Sequence, residues 1–206
     1  TGGRMILGMG VSSPAIVSKV RGIDYGKPLA FLRTYLEAME ASMYTAVAPA
    51  ESVPVVLAAL GPRMLELAAE KTAGAHPYNT TPEHTAMARE VMGPDAGLFV
   101  EQKVIFTEDP AVARATGGKV LRFYSRAPGY VNAWKRMGFS DDDISTQSDR
   151  LIDAIVAWGT ADQIEARLQE HADAGASHVC IHPLHPEDGQ GQPDDDALVA
   201  FAPGNS

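Results

Sequence analysis

The sequence predicts a parallel α/β fold, with strands buried on both faces and helices between them. Three observations predict it. The apolar runs do not alternate with polar residues, as strands with one wet face would. Between them lie segments with apolar spacings of three and four, several opened by a proline or a capping residue. Four of the runs end in glycine, proline or histidine, at the strand ends where a parallel sheet gathers its ligand site. Five such units fit either an open doubly wound sheet or part of an eight-fold barrel, in a single domain.

Each element follows from local signals. Residues 4–9 read as a buried first strand. A loop with Pro14, Gly22, Gly26 and Pro28 follows, and Pro28 suits a first helical turn because its missing N–H would be unpaired there anyway. Leu29, Leu32, Leu36, Met39 and Met43 then form one apolar stripe. Residues 53–60, VPVVLAAL, are the second strand, and Gly61-Pro62 ends it and opens a helix to about Lys71. Residues 73–76 are a short third strand. Thr81 caps the next helix with Pro82 at its first position, and Gly93 stops it. Residues 98–106, LFVEQKVIF, are the fourth strand. The helical stretch 108–138 is less regular, interrupted by Gly117-Gly118 and turned by Pro128-Gly129. Residues 149–158 read as a short helix ended by Gly159. Thr160 and Gln163 form a capping box for a helix carrying Ile164 and Leu168, which Gly175 closes. Residues 179–182, VCIH, are the fifth strand. The segment after Pro183, rich in Pro, Asp, Gly and Gln, is expected to be a loosely ordered tail over 186–206.

Composition narrows the function. With 206 residues, 45% hydrophobic and 21% charged, the chain can bury a full core. The balance of 17 basic against 26 acidic side chains, a net −9, repels polyanions and argues against general nucleic-acid binding. No apolar run approaches the roughly eighteen residues that span a bilayer. Cys180 is the single cysteine, so no internal disulfide forms, and a cytoplasmic setting is expected.

The strand ends hold the chemistry. They read Gly8-Met9-Gly10-Val11-Ser12-Ser13, Ala59-Leu60-Gly61-Pro62-Arg63, His76-Pro77-Tyr78-Asn79-Thr80 and His182-Pro183-Leu184-His185. Gly8 and Gly10 lack the third glycine and the immediate helix of a dinucleotide motif, so a loop whose backbone approaches a flat or phosphorylated ligand is the better reading. Gly61-Pro62-Arg63 offers an anion the N-terminus of a helix and a guanidinium. His76 and His182 are candidate acid–base residues. With His185 they also suggest a metal-dependent hydrolase, although no clear second ligand cluster supports metal binding. Tyr25, Tyr78, Tyr124 and Tyr130 suit stacking or the core rim; Trp134 and Trp158 suit packing. His84, His171 and His178 carry no signal, and Cys180 is expected to be inert.

Five motifs in order carry a resemblance: Gly-Gly-Arg-x-x-Leu-Gly-x-Gly over 2–10, Tyr25-Gly-Lys-Pro28, Ala58-Ala-Leu-Gly-Pro62, Gly74-Ala-His-Pro-Tyr78 with Thr81-Pro-Glu-His84, and Ala174-Gly-Ala-Ser-His-Val179. Over 1–185 the chain resembles the luciferase-like monooxygenase superfamily, most closely its deazaflavin-dependent oxidoreductase branch. The resemblance implies an (β/α)8 TIM barrel of which strands four to eight are present and the first three βα units absent. It implies coenzyme F420, with FMN as the alternative, and hydride transfer to or from a small organic substrate. Gly8, Gly10, Val11 and Ser12 would then line the cofactor, Ala59 and Leu60 would also bind it, and Gly61, Pro62 and Arg63 would hold its phosphate end. The acidic tail of F420 would be helped by Arg63, Lys19 or Arg21. The full-length protein would be a homodimer, and the fragment alone neither stable nor active. An FMN-dependent monooxygenase and a non-catalytic flavin-binding protein are the other readings that the resemblance leaves open.

Overall fold

In the computed structural model, which describes residues 3–47 and 50–202, six parallel strands form one sheet that does not close into a barrel. Thr1, Gly2 of the first motif and the last four residues of the expected tail lie outside the described residues. The strands are β1 (Leu7–Met9), β2 (Val55–Ala58), β3 (Gly74–His76), β4 (Gly97–Ile105), β5 (Val156–Trp158) and β6 (His178–Pro183). β1 pairs with β2, β2 with β3, and β3 with the start of β4. β4 then pairs with β5 at its end and with β6 along most of its length. It is the strand around which the rest assemble, and seven of its nine residues are buried.

The helices are α1 (Pro28–Ala41), α2 (Pro62–Lys71), α3 (Pro82–Met92), α4 (Pro110–Tyr124), α5 (Pro128–Arg136), α6 (Asp141–Thr146), α7 (Asp149–Ile155), α8 (Ala161–Asp173) and α9 (Asp195–Ala200). Proline occupies a first-turn position in α1 to α5, where its lost N–H costs nothing. Thr81 accepts from the His84 amide, and Thr160 with Gln163 completes its box. On α1 the stripe buries Leu32 and Leu36, but Met39 is exposed, and Met43, also exposed, lies past the end of the helix. The loop before α1 contains a π-helical turn, Ala15–Val20.

Three expectations need correction. The sheet has six strands rather than five, because 149–158 is not one helix: α7 ends at Ile155, and Val156–Trp158 enter the sheet beside the end of β4. Gly117-Gly118 do not interrupt α4. They are buried where α4 meets α7, and a Cβ on Gly117 would lie 2.9 Å from Ile152 Cγ2. Glycine there lets two helices approach, a gain that offsets its poor helix propensity. His171, which carries no signal in sequence, is fully buried in a network linking α3, β4 and α8. The Gln102 amide nitrogen donates to the carbonyls of Lys103 and Ile155, so its oxygen accepts from His171 Nε2 at 2.9 Å; Thr85 Oγ1 lies 2.8 Å from Nδ1. In the segment read as a loose tail, Asp194 caps α9, and Phe201 packs edge-on against Phe106.

Burial, with help from the Arg167 charge, pushes His171 down to about 4 from its ordinary 6.5. The unfolded chain therefore binds that proton first, and stability falls as pH drops from about 6.5 toward 4. We expect a loss of about 2 kcal/mol from this residue between pH 7 and 5. Urea melts at the two values check it, and His171→Gln should flatten the difference.

At the amino ends of the strands a single arginine gathers the main chain. Arg89 on α3 donates to the carbonyls of Gly93, Pro94, Ala96 and Gly175 and to Ser177 Oγ.

Candidate functional site

Pleating decides which residues share the inner face of the curved sheet. Register pairs Gly8 with Val56, Ala58 with His76, and Lys103 with His182, and residues two apart on a strand face the same way. Gly8, Val56, Ala58, His76, Phe99 and Cys180 thus line an open concavity of about 620 Å³. Toward the carboxyl ends of the strands this face continues into Tyr78, Glu101, Lys103 and His182. The glycine loop after β1, the turn after β2 and the His76 segment after β3 all sit at this end.

The cluster above the concavity is charged and buried. Lys103, with no exposed surface, donates to Glu101 Oε1 at 2.8 Å, and its ammonium lies 3.7 Å from the centroid of the Tyr78 ring. Glu101 Oε2 accepts from the Asn79 amide at 3.2 Å, and Oε1 lies 3.3 Å from His182 Nδ1. Burial pulls Lys103 down to about 8, an effect only partly offset by its carboxylate partner. Burial pushes Glu101 up, but His182, Lys103 and the Asn79 amide outweigh it and hold the carboxyl below its usual range. Tyr78 OH bridges His182 Nδ1 at 2.9 Å and Tyr124 OH at 3.0 Å. Burial above all pushes the Tyr78 phenol strongly upward, so it stays protonated. Asn79 takes a left-handed backbone (φ 58°), and its buried side-chain amide has no partner among the described residues, which leaves it for water or a ligand to satisfy.

The predicted residues divide between this face and its surroundings. Gly8 and His76 line the concavity, and His182 lies on the same face of β6 as Cys180. Gly10 comes close to Ala58, where an added Cβ would sit 3.0 Å from the methyl. Ser12 adopts φ 58°, and its carbonyl accepts from Tyr25 OH at 3.2 Å, which pins the loop. Val11 packs against the core, and Ala59 is buried facing the helices, so neither side chain reaches the concavity. Gly61 precedes α2, with Pro62 and Arg63 exposed at its first turn. Lys19 and Arg21 are exposed on the loop before α1.

Sequence reasoning missed Glu101, Lys103 and Arg136. The first two had a signal: charged residues two apart inside an apolar strand share one face. Arg136 had none, because it reaches the Leu60 carbonyl, at 3.5 Å, across 76 residues of sequence. His84 Nε2 donates to that same carbonyl at 2.9 Å, so the Leu60–Gly61 turn is held from two sides. Among the described residues, no three His, Cys, Asp or Glu side chains group as metal ligands, and no described helix is long and apolar enough to cross a membrane.

A flat ring with a phosphorylated arm fits what this end offers. Nothing lies within 4 Å of where a side chain on Gly8 would begin, so a ring can lie against bare backbone. The N-terminus of α2 with Arg63, and Arg136 3.5 Å from where a Gly61 Cβ would be, suits an anion.

Known proteins agree with this architecture. A Mycobacterium tuberculosis protein named "Putative coenzyme F420-dependent oxidoreductase Rv3520c" is 23% identical over 244 aligned positions, covering 88% of this chain and 70% of that one. The structure of a coenzyme F420 dependent tetrahydromethanopterin reductase from Methanopyrus kandleri superposes with a TM-score of 0.64 at 20% identity, covering 90% of this chain and 70% of that one. An F420-dependent secondary alcohol dehydrogenase, solved with an F420-acetone adduct, gives 0.58 at 14% identity, over 90% and 66%. At these identities the two structures speak for the fold alone. Residues 1–178 match the luciferase-like monooxygenase family, and the chain belongs to it.

Proposed function

We propose that this protein is a coenzyme F420-dependent oxidoreductase that moves a hydride to or from a small organic substrate at the concave face of the sheet. One observation carries the reading: the bare backbone of Gly8, the Ala58 edge and His76 line one concavity, and α2 begins just past the carboxyl end of β2, the strand that carries Ala58. Family membership and the name of the mycobacterial relative support it and favour F420 over FMN.

When bound, the deazaflavin supplies a ring carbon that accepts or releases the hydride. The chain supplies the grip and the surroundings. Gly8 and Gly10 let a ring approach the β1 backbone, and the Val11-Ser12 main chain borders it. Leu60, Gly61, Pro62 and Arg63 receive the phosphate, with Arg136 adding a second guanidinium. His182, steadied at Nδ1 by Glu101 and Tyr78, and His76 face the substrate as acid–base groups.

Titration of the protein with oxidised F420, and separately with FMN, tests this by fluorescence. We expect saturable F420 binding, about tenfold weaker in Arg63→Ala, or about 1.4 kcal/mol, with an unchanged melting temperature. Binding of FMN alone would transfer the reading to FMN, and binding of neither would overturn it.

A further inference from the structure

We propose that the cavity walled by α3, α5 and α7 is a second ligand site, and that it takes a free α-amino acid with an apolar side chain. The site itself does not depend on the oxidoreductase reading above; its effect on F420 does.

The cavity is half-enclosed, holds about 500 Å³ and shares no lining residue with the concavity. One wall is His84, only 4% exposed. Its Nε2 lies 2.9 Å from the Leu60 carbonyl oxygen, which can only accept, so Nε2 carries the ring hydrogen. Burial, helped by the Arg136 charge, holds the imidazole below its ordinary range and keeps it neutral. Nδ1 is then a lone pair, buried and without a partner among the described residues. Such an acceptor calls for a donor carried by an occupant of the cavity.

The rest of the lining defines that occupant. Arg136 pairs with no carboxylate among the described residues, and its hydrogen bond to the Leu60 carbonyl is long, at 3.5 Å. A guanidinium so placed suits a carboxylate. Glu83, exposed on the first turn of α3, adds the opposite charge, and the Thr81 hydroxyl above all holds its carboxyl in the ionised form. Glu83 and His84 Nδ1 thus offer an ammonium two acceptors. Arg150 is already engaged: it bonds Asp143 and the Gly138 carbonyl and lies 4.7 Å from the centroid of the Phe139 ring. Met87, Met137 and Phe139 make an apolar wall, adaptable where it is methionine. A simple anion would meet Glu83, and a simple amine would leave Arg136 unpaired. A zwitterion with a hydrocarbon side chain answers every feature.

The site reaches the cofactor end through one carbonyl. His84 and Arg136 both hold Leu60, and Arg136 also stands beside Gly61. A carboxylate that draws Arg136 into the cavity takes a guanidinium from the proposed phosphate grip. Occupancy therefore weakens F420 binding, and F420 weakens the amino acid by the same factor.

L-Leucine is the probe, with isocaproate, which lacks the ammonium, and isoamylamine, which lacks the carboxylate, as controls. Each is titrated by calorimetry into the whole protein, and ¹⁵N-histidine spectra are recorded alongside. We expect His84 as the Nε2–H tautomer, an Nδ1 shift on adding leucine, saturation below about 10 mM, and about tenfold weaker binding of each control. Glu83→Gln should cost leucine about tenfold with little change in melting temperature, and should not weaken isocaproate. Saturating leucine should weaken F420 binding about threefold and no further. An Nδ1–H tautomer, absence of saturation, or equal binding of leucine and either control overturns the assignment. So does complete displacement of leucine by F420, because the cavity then belongs to the cofactor. Leucine binding with no F420 binding upholds the site and removes the oxidoreductase reading instead.

Discussion

Replacing Gly74 with alanine is expected to destabilise the protein by at least about 3 kcal/mol, enough to deplete the folded state of an ordinary domain. The reason is backbone against backbone. A Cβ on Gly74 would lie 2.0 Å from the Gly97 carbonyl oxygen, in the register where β3 pairs with β4. No side chain can rotate to relieve that contact, so the strands must part, and β4 is the strand that also holds β5 and β6. Gly8→Ala is the contrasting case. Its Cβ would enter open space at an ordinary φ, so the melting temperature should hold while F420 affinity falls, because the methyl stands where the ring is proposed to lie. Chemical denaturation of both variants, with a cofactor titration of the second, separates fold from function at two glycines that flank Val56 of β2 in the same sheet.

Glu101→Gln carries the second large effect. It removes the charge that compensates a fully buried lysine while leaving the shape intact. Breaking one partner of a buried pair costs about 3–5 kcal/mol, since the remaining ion stays desolvated. The pH response gives the signature. Lys103 sits at about 8 with its partner in place, and loss of the carboxylate lowers it further. The unfolded chain keeps that proton to about pH 10.4, so it binds more protons than the folded chain in between, and stability rises with pH across that window. The gap between Glu101→Gln and the wild type should therefore narrow as pH rises toward 8 and hold steady above it in urea melts. A variant that is equally destabilised at pH 7 and pH 9 would show that packing, not charge, is what the pair supplies. The paired change Glu101→Leu with Lys103→Met should recover much of the stability.

Much of this architecture was legible because its signals are local. Pro28, Thr81 and Thr160 start helices wherever they stand, and VPVVLAAL and LFVEQKVIF can only be buried strands or buried helix. What escaped depends on partners remote in sequence. Between Ile155 and Val156 no glycine or proline marks the change from helix to strand; the edge of β4 imposes it. Gly117-Gly118 looks like a break until Ile152 arrives from α7 to fill the space a side chain would take. The candidate site divides the same way. Strand ends rich in glycine and histidine announced one face, and His76 and Gly8 do share a concavity. Glu101 and Lys103 were readable in principle, as charges two apart in an apolar strand. The hold of Arg136 on the Leu60 turn comes from folding alone.

The grip of Arg89 on four carbonyls and a hydroxyl fastens the amino ends of β4 and β6 with one side chain, at the end of the sheet away from the charged cluster. Anchorage and reactivity are thereby assigned to opposite poles of the strands. Loops at the reactive pole are free to diverge between lineages and acquire new specificities, because the scaffold does not depend on them for its cohesion.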